Sequence, residues 1–311
     1  MLAFLFPGQG AQVPGMLHQM PDHSKITATF EEAGQVLGQD VLELDTEEAL
    51  SSTVAVQLAL LISAVASTRA LQAEGIKIDL VAGLSVGAFA AAVAAEALAF
   101  KDALPLVKVR AELMVKAYPS GYGLSVVVGL NEQQLSKIVS EINKPDAPVF
   151  LANLNAPTQI VIAGSDVGMK AVLDRAKDEG ARSAKRLPVS VPSHCALLKT
   201  VADELTRRIA KIEMKTPDAI YVSNRRARAL RDSEGIREDL ATNIEYAVRW
   251  HDAVTVAYEQ GIRVFVELPP GRTLTDLSSA AFPDARSMAV EQIRIDSLVK
   301  LIKRFGASTG L

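Results

Sequence analysis

The stretch Val81-Ala82-Gly83-Leu84-Ser85-Val86-Gly87-Ala88-Phe89 decides how this chain is read. A mostly apolar run, residues 78–82, reads as a buried strand. It passes through Gly-x-Ser-x-Gly directly into an alanine-rich helix, residues 88–97. Strand, sharp turn and helix are the setting that a nucleophile elbow requires. Glycines at 83 and 87 leave room for a turn that lifts one serine hydroxyl clear of the backbone. Ser85 then stands at the positive end of a helix, where developing negative charge is stabilised. An ordinary strand-to-helix turn with small residues for packing reads the same on this stretch alone, so the rest of the chain has to separate the two.

A chain of 311 residues is long for one compact core, which predicts one large domain carrying an insert. Hydrophobic residues make up 49% and aromatic residues only 5%, a balance that suits a parallel sheet clad in helices. The formal net charge of -3 gives no electrostatic case for nucleic acid. The single Cys195 excludes an internal disulfide and a multi-cysteine zinc site. Four scattered histidines without His-x-x-x-His spacing predict no metal site. No positively charged leader opens the chain, and the longest apolar candidate for a membrane span, 54–66, is short and carries Gln57. These features predict a soluble, cytoplasmic protein.

Outward from the elbow, residues 2–6 read as a short buried strand that stops at Pro7-Gly8-Gln9-Gly10-Ala11-Gln12. A glycine loop at the carboxyl end of a strand lies where open α/β sheets bind ligands. Residues 53–74 carry apolar side chains at helical spacing and predict a long buried helix. The next helix, 102–118, has Arg110 among inward-facing apolar residues; it either snorkels to solvent or meets a buried anion. Between residues 121 and 190 the order strand, helix, strand, strand, helix, strand predicts an inserted ferredoxin-like (βαββαβ) subdomain. Residues 1–120 and 191–311 then form the α/β hydrolase-like catalytic domain, a parallel sheet flanked by helices. After the insert, Val191-Pro192-Ser193-His194-Cys195-Ala196 places His194 on a loop at a helix start. A serine nucleophile needs a base of near-neutral pKa. His18 and His23 lie in a polar, mobile-looking segment and His251 begins an amphipathic helix, which leaves His194 as the best candidate.

These motifs resemble, in order and across nearly the whole chain, the malonyl-CoA:acyl-carrier-protein transacylase family. The residues that carry the resemblance are Phe6-Pro7-Gly8-Gln9-Gly10-Ala11-Gln12, the elbow, Arg110, Asn153 to Gly164, Val191-Pro-Ser-His-Cys-Ala, and the late Glu267-Leu-Pro-Pro-Gly-Arg-Thr-Leu. The resemblance implies a ping-pong acyl transfer in which Ser85 attacks the thioester of malonyl-CoA and His194 takes its proton. It implies an oxyanion hole from the backbone N–H groups of Gln9 and Val86. Arg110 would bind the malonyl carboxylate in a bidentate pair. A backbone carbonyl, expected at Arg249, would orient the histidine. No cofactor would be bound permanently, and the acceptor would be the prosthetic thiol of an acyl carrier protein.

Two departures stand out. The family's elbow usually reads Gly-His-Ser-x-Gly, whereas Leu84 precedes the serine here, and Ala88 stands where an acidic residue is common. This elbow resembles that of the malonyltransferase subunit of malonate decarboxylases, which implies a carrier subunit bearing a phosphoribosyl-dephospho-CoA group and further subunits as partners. The alternatives are a transacylase of fatty-acid or polyketide synthesis, a serine thioesterase, and a non-catalytic complex scaffold. Two basic clusters are candidates for docking an acidic carrier: Arg182, Lys185 and Arg186, and separately Arg225, Arg226, Arg228 and Arg231. Ordinary solvated charge explains either cluster equally well.

Overall fold

Runs of four or five apolar residues with no polar alternation can be strands only where both faces are covered. The computed structural model describes residues 1–308 and places β1 (Leu2–Phe6) and β2 (Leu80–Gly83) in that position, buried at every residue. They pair in parallel with Phe6 opposite Gly83, so the loops that follow them leave the sheet side by side. A second sheet is built from β3 (Tyr122–Val128), β4 (Val149–Ala156), β5 (Gln159–Ser165) and β6 (Ser183–Arg186). The first sheet is completed by β7 (Ile220–Val222), β8 (Ala229–Leu230), β9 (Val264–Glu267) and β10 (Arg286–Ala289), in the order β10-β9-β1-β2-β7-β8. Five of its six strands run parallel and β8 turns back antiparallel to β7.

The helices cover both faces. They are α1 (Ser24–Leu37), α2 (Thr53–Ala73), α3 (Gly87–Ala94) and α4 (Phe100–Ala117), followed by α5 (Glu132–Ile142) and α6 (Asp166–Asp178) on the small sheet. Then come α7 (Lys199–Ile209), α8 (Ser233–Thr242), α9 (Trp250–Glu259), α10 (Thr273–Ala281) and α11 (Ile295–Ser308). α2 is packed among α1, α3 and α4, and 17 of its 21 residues are buried. By length and composition it could span a membrane, and its apolar stretch is longer than the 54–66 run. Its burial inside the protein accounts for that composition. The core it shares with Phe4, Phe6 and Phe89 lies directly beneath the elbow.

The small sheet is antiparallel throughout, in the order β4-β5-β3-β6. With α5 and α6 beside it, this is the ferredoxin-like arrangement expected from the sequence. On that topology we propose the division into 121–190 and 1–120 plus 191–311, of which 309–311 lie outside the described residues. Backbone hydrogen bonds tie β4 of the small sheet to the segment just before α9: Val248 N–H donates to Ala152 O and Leu154 N–H to Val248 O, both at 2.8 Å. One segment differs from its sequence reading. The polar stretch around His18 and His23 is held in place, because buried Asp45 accepts from Leu17 N–H (2.6 Å), His18 N–H (3.2 Å) and His18 Nδ1 (2.8 Å). His23 in turn caps α1.

Candidate active site

The elbow forms because two backbones approach closer than any side chain allows. A Cβ on Gly83 would stand 2.2 Å from Gly87 C, and one on Gly87 would stand 2.3 Å from Phe6 O. Ser85 itself is the strained residue, at φ 58°. A non-glycine residue in the left-handed region costs roughly 1–2 kcal/mol and persists only where its surroundings fix it. His194 is held in the same region, at φ 66°, with its N–H bonded to Ile244 O at 2.7 Å.

The two residues, 109 apart in sequence, meet directly: Ser85 Oγ lies 2.6 Å from His194 Nε2. On the far side of the ring, His194 Nδ1 lies 2.7 Å from Asn243 O. With Nδ1–H donating to that carbonyl, Nε2 is left as the acceptor for the serine proton. This corrects the expectation for Arg249. The Arg249 carbonyl instead accepts Ala253 N–H at 2.9 Å, while its N–H donates to Asn224 O and its guanidinium pairs with Glu132 and Asp252. The orienting carbonyl comes from the short turn after α8, which packs onto the His194 loop. Burial foremost, and the Arg110 charge next, lower the His194 pKa to about 4, against opposing hydrogen bonds from the Asn243 and Tyr246 backbones.

Arg110 does not snorkel. Its side chain is buried, with Nη2 donating to Ser85 Oγ at 3.1 Å and Nη1 to Gln57 Oε1 at 2.6 Å. Its Nε has no hydrogen-bond partner, and no carboxylate pairs with it among the described residues. Burial lowers its pKa to about 9, which still leaves it charged at neutral pH. A buried cation without a counter-ion is costly, and the cost is removed when an anion enters beside it. Gln57 looked in the sequence like an interruption of an apolar helix. That interruption is the signal, since a buried glutamine on a largely buried helix needs a polar partner.

The Gln9 loop and the elbow line one small cavity with Arg110 and His194. Among the described residues, neither the Gln9 N–H nor the Val86 N–H donates to another group. Both are therefore available to an oxygen developing charge at Ser85. Leu84 and Asn153 also line the cavity. Glu267, from the late motif, has a structural part: its carboxylate accepts from Leu274 and Thr275 N–H and caps α10. Cys195 is buried, with its thiol pKa pushed up to about 12, and it is not a competing nucleophile. No cluster of residues suited to a metal ion occurs among the described residues.

Three further residues belong to the surroundings of Ser85 and were not legible in the sequence. Asn224 Oδ1 accepts the Ser85 N–H at 2.9 Å. Asp239 and Tyr221 lie behind it. The basic clusters lie apart: Arg186 is bound to Tyr122 O and Leu124 O on the small sheet, and Arg225 stacks over the Tyr246 ring at 3.4 Å.

A family model described as acyl transferase domain matches residues 3–300. The malonyl CoA-acyl carrier protein transacylase of Salmonella typhimurium is 38% identical over 282 residues, covering 89% of this chain and 91% of that one. The solved structure of the same-named enzyme from Coxiella burnetii superposes with a TM-score of 0.91 at 36% identity, covering 97% of each chain. A structure of a type II PKS acyl-carrier protein in complex with its malonyl-transacylase gives 0.91 at 35% identity, covering 97% and 99%. A serine on a strained elbow, a histidine held by a carbonyl, and a buried unpaired arginine at the same oxygen thus sit in a chain that belongs to the malonyl CoA-acyl carrier protein transacylases, a family of acyltransferases.

Proposed function

We propose that the chain moves a malonyl group from malonyl-CoA to the prosthetic thiol of an acyl carrier protein through a malonyl-Ser85 intermediate. The observation that carries this reading is Ser85 Oγ held between His194 Nε2 at 2.6 Å and the guanidinium of buried Arg110 at 3.1 Å. His194 takes the serine proton as Oγ attacks the thioester carbonyl, and the carbonyl oxygen gathers charge against the Gln9 and Val86 N–H groups. Collapse expels the CoA thiolate, which receives the proton from His194. The carrier thiol then repeats the sequence in reverse. Arg110 holds the free carboxylate, which a thioesterase for plain acyl groups would not need. A scaffold role would not need the serine–histidine contact. The substrates come and go, so no permanently bound cofactor takes part, and the use of CoA and a carrier protein supports a cytoplasmic setting.

For the physiological carrier, the Leu84 and Ala88 elbow supports a malonate decarboxylase carrier subunit, with other subunits of that system as partners. A fatty-acid or polyketide carrier is the second reading, favoured by the likeness to the transacylase solved with a type II PKS carrier protein. Intact-mass measurement after mixing with malonyl-CoA tests the chemistry. A malonyl adduct is expected that is absent in Ser85→Ala, and an adduct persisting in that variant refutes the assigned nucleophile. Transfer from the malonyl-enzyme to each carrier type, compared with loss to water, then separates the branches from a hydrolase.

A further inference from the structure

Ser85 pays for its left-handed backbone with contacts that reach well beyond the catalytic pair. Its N–H is taken by Asn224 Oδ1 at 2.9 Å. Asn224 is itself fixed from both sides. Its carbonyl accepts Arg249 N–H at 2.9 Å, and its N–H lies 3.0 and 3.1 Å from the two carboxylate oxygens of Asp239. The same carboxylate accepts Tyr221 O–H at 2.8 Å and Arg225 N–H at 3.3 Å. Asp239, Asn224 and Tyr221 are all buried, and no cation pairs with Asp239 among the described residues. A buried carboxylate met only by neutral donors is costly to desolvate, and its hydrogen bonds fix those donors in place.

Asp239 stands on α8, and four residues further along the same segment is Asn243, whose carbonyl meets His194 Nδ1. One stretch of chain therefore reaches the nucleophile through Asp239 and Asn224, and the base through Asn243. We propose that Asn224 and Asp239 are positioning residues for acyl transfer: Asp239 locks Asn224, and Asn224 locks the Ser85 backbone in register with a histidine held by the same segment. The inference rests on the serine-nucleophile reading above and adds the device that keeps the two partners aligned.

The reason for such a device is geometric. Attack requires Oγ, Nε2 and the two oxyanion N–H groups to be in place at once, and an error near 1 Å costs about a hundredfold. A turn residue in a strained conformation relaxes toward ordinary φ once its N–H is released.

The test is single-turnover formation of the malonyl adduct in Asn224→Ala, Asp239→Ala and the double variant, scaled to the folded fraction from circular dichroism. Asn224→Ala is expected to lower the saturating acylation rate by about ten- to a hundredfold, with the malonyl-CoA concentration at half-rate changed less than about twofold. The double variant should be no slower than Asn224→Ala, because Asp239 reaches Ser85 only through Asn224. If Asn224→Ala does not fold, Asn224→Ser keeps a polar group but is too short to reach Ser85 N–H, and the same loss is expected. An unchanged acylation rate per folded enzyme, or losses that multiply in the double variant, overturns the proposal. Wild-type protein that forms no adduct would instead overturn the underlying reading, so the two failures are distinguishable.

Discussion

Arg110 and His194 converge on one atom: the guanidinium Nη2 and the imidazole Nε2 lie 3.1 and 2.6 Å from Ser85 Oγ. Both side chains are buried, so a fixed positive charge faces the group that must gain a proton. Burial and that charge together keep the free imidazole neutral, with its pKa near 4. On the proposed reading, a carboxylate bound to Arg110 would cancel that charge and make His194 a stronger base only when a carboxylated acyl group is in place.

This relationship sets the pH dependence of acylation. For free enzyme, the acid limb of kcat/KM with malonyl-CoA should fall near the His194 pKa of about 4. The limb for the saturated rate should lie at higher pH, because the bound carboxylate has neutralised Arg110. Coincident limbs for the two parameters would contradict the coupling.

His194 also ties stability to pH. Its folded pKa, about 4, is below the 6.5 of a free imidazole, so between those values the unfolded chain binds a proton that the folded chain does not. Stability is therefore lost as pH falls from about 6.5 towards 4, by up to roughly 3 kcal/mol for this group. Urea denaturation of wild type and His194→Gln across that range should show a steeper acid loss in wild type. Parallel curves would show that the imidazole does not contribute.

Arg110→Met separates binding from stability. Malonyl-CoA should lose its anchor, with kcat/KM down by about a hundredfold or more, while acetyl-CoA use changes little. The fold should gain on the order of 1 kcal/mol, since a desolvated cation without a counter-ion has been removed. Acylation by both thioesters and a urea midpoint measure the two effects. Retained preference for malonyl over acetyl would remove Arg110 as the carboxylate ligand.

Gln57 should act through Arg110. Gln57→Leu leaves Nη1 without its acceptor at 2.6 Å, so the guanidinium can swing away from Ser85. We expect about a tenfold loss with malonyl-CoA and little further loss when it is combined with Arg110→Met. Additive losses would point to a separate role for the glutamine.

For carrier docking, Arg226 and Arg228 are better probes than Arg225, whose guanidinium is engaged over the Tyr246 ring. Reversing both to Glu should slow transfer to an acidic carrier by about tenfold at low salt, with acylation by malonyl-CoA unchanged. Carrier kinetics identical to wild type would take this cluster out of the docking surface.

The parts of this protein that depend on neighbours along the chain can be read from the order of its residues. The strand, Gly-x-Ser-x-Gly and helix around Ser85 form a local pattern. So do the glycine loop at Gln9, the Pro192-Ser193-His194 turn and the alternation that yields the small antiparallel sheet. His194 could be chosen because the chain has only four histidines, whereas Arg110 in its apolar stripe left snorkelling and a buried anion both open until the family resemblance suggested a role. Tertiary structure decided what holds these groups. Gln57 lies 53 residues from Arg110, Asn243 lies 49 from His194, and Asn224 lies 139 from Ser85. The carbonyl that orients the histidine was expected at Arg249 and is found at Asn243, because every residue carries the same backbone oxygen and no side chain marks the one in use. Only the packing of the turn after α8 against the His194 loop selects it. Asn224 and Asp239 were silent for a related reason: a polar side chain in a loop or on a helix reads as solvated until the fold buries it against a partner.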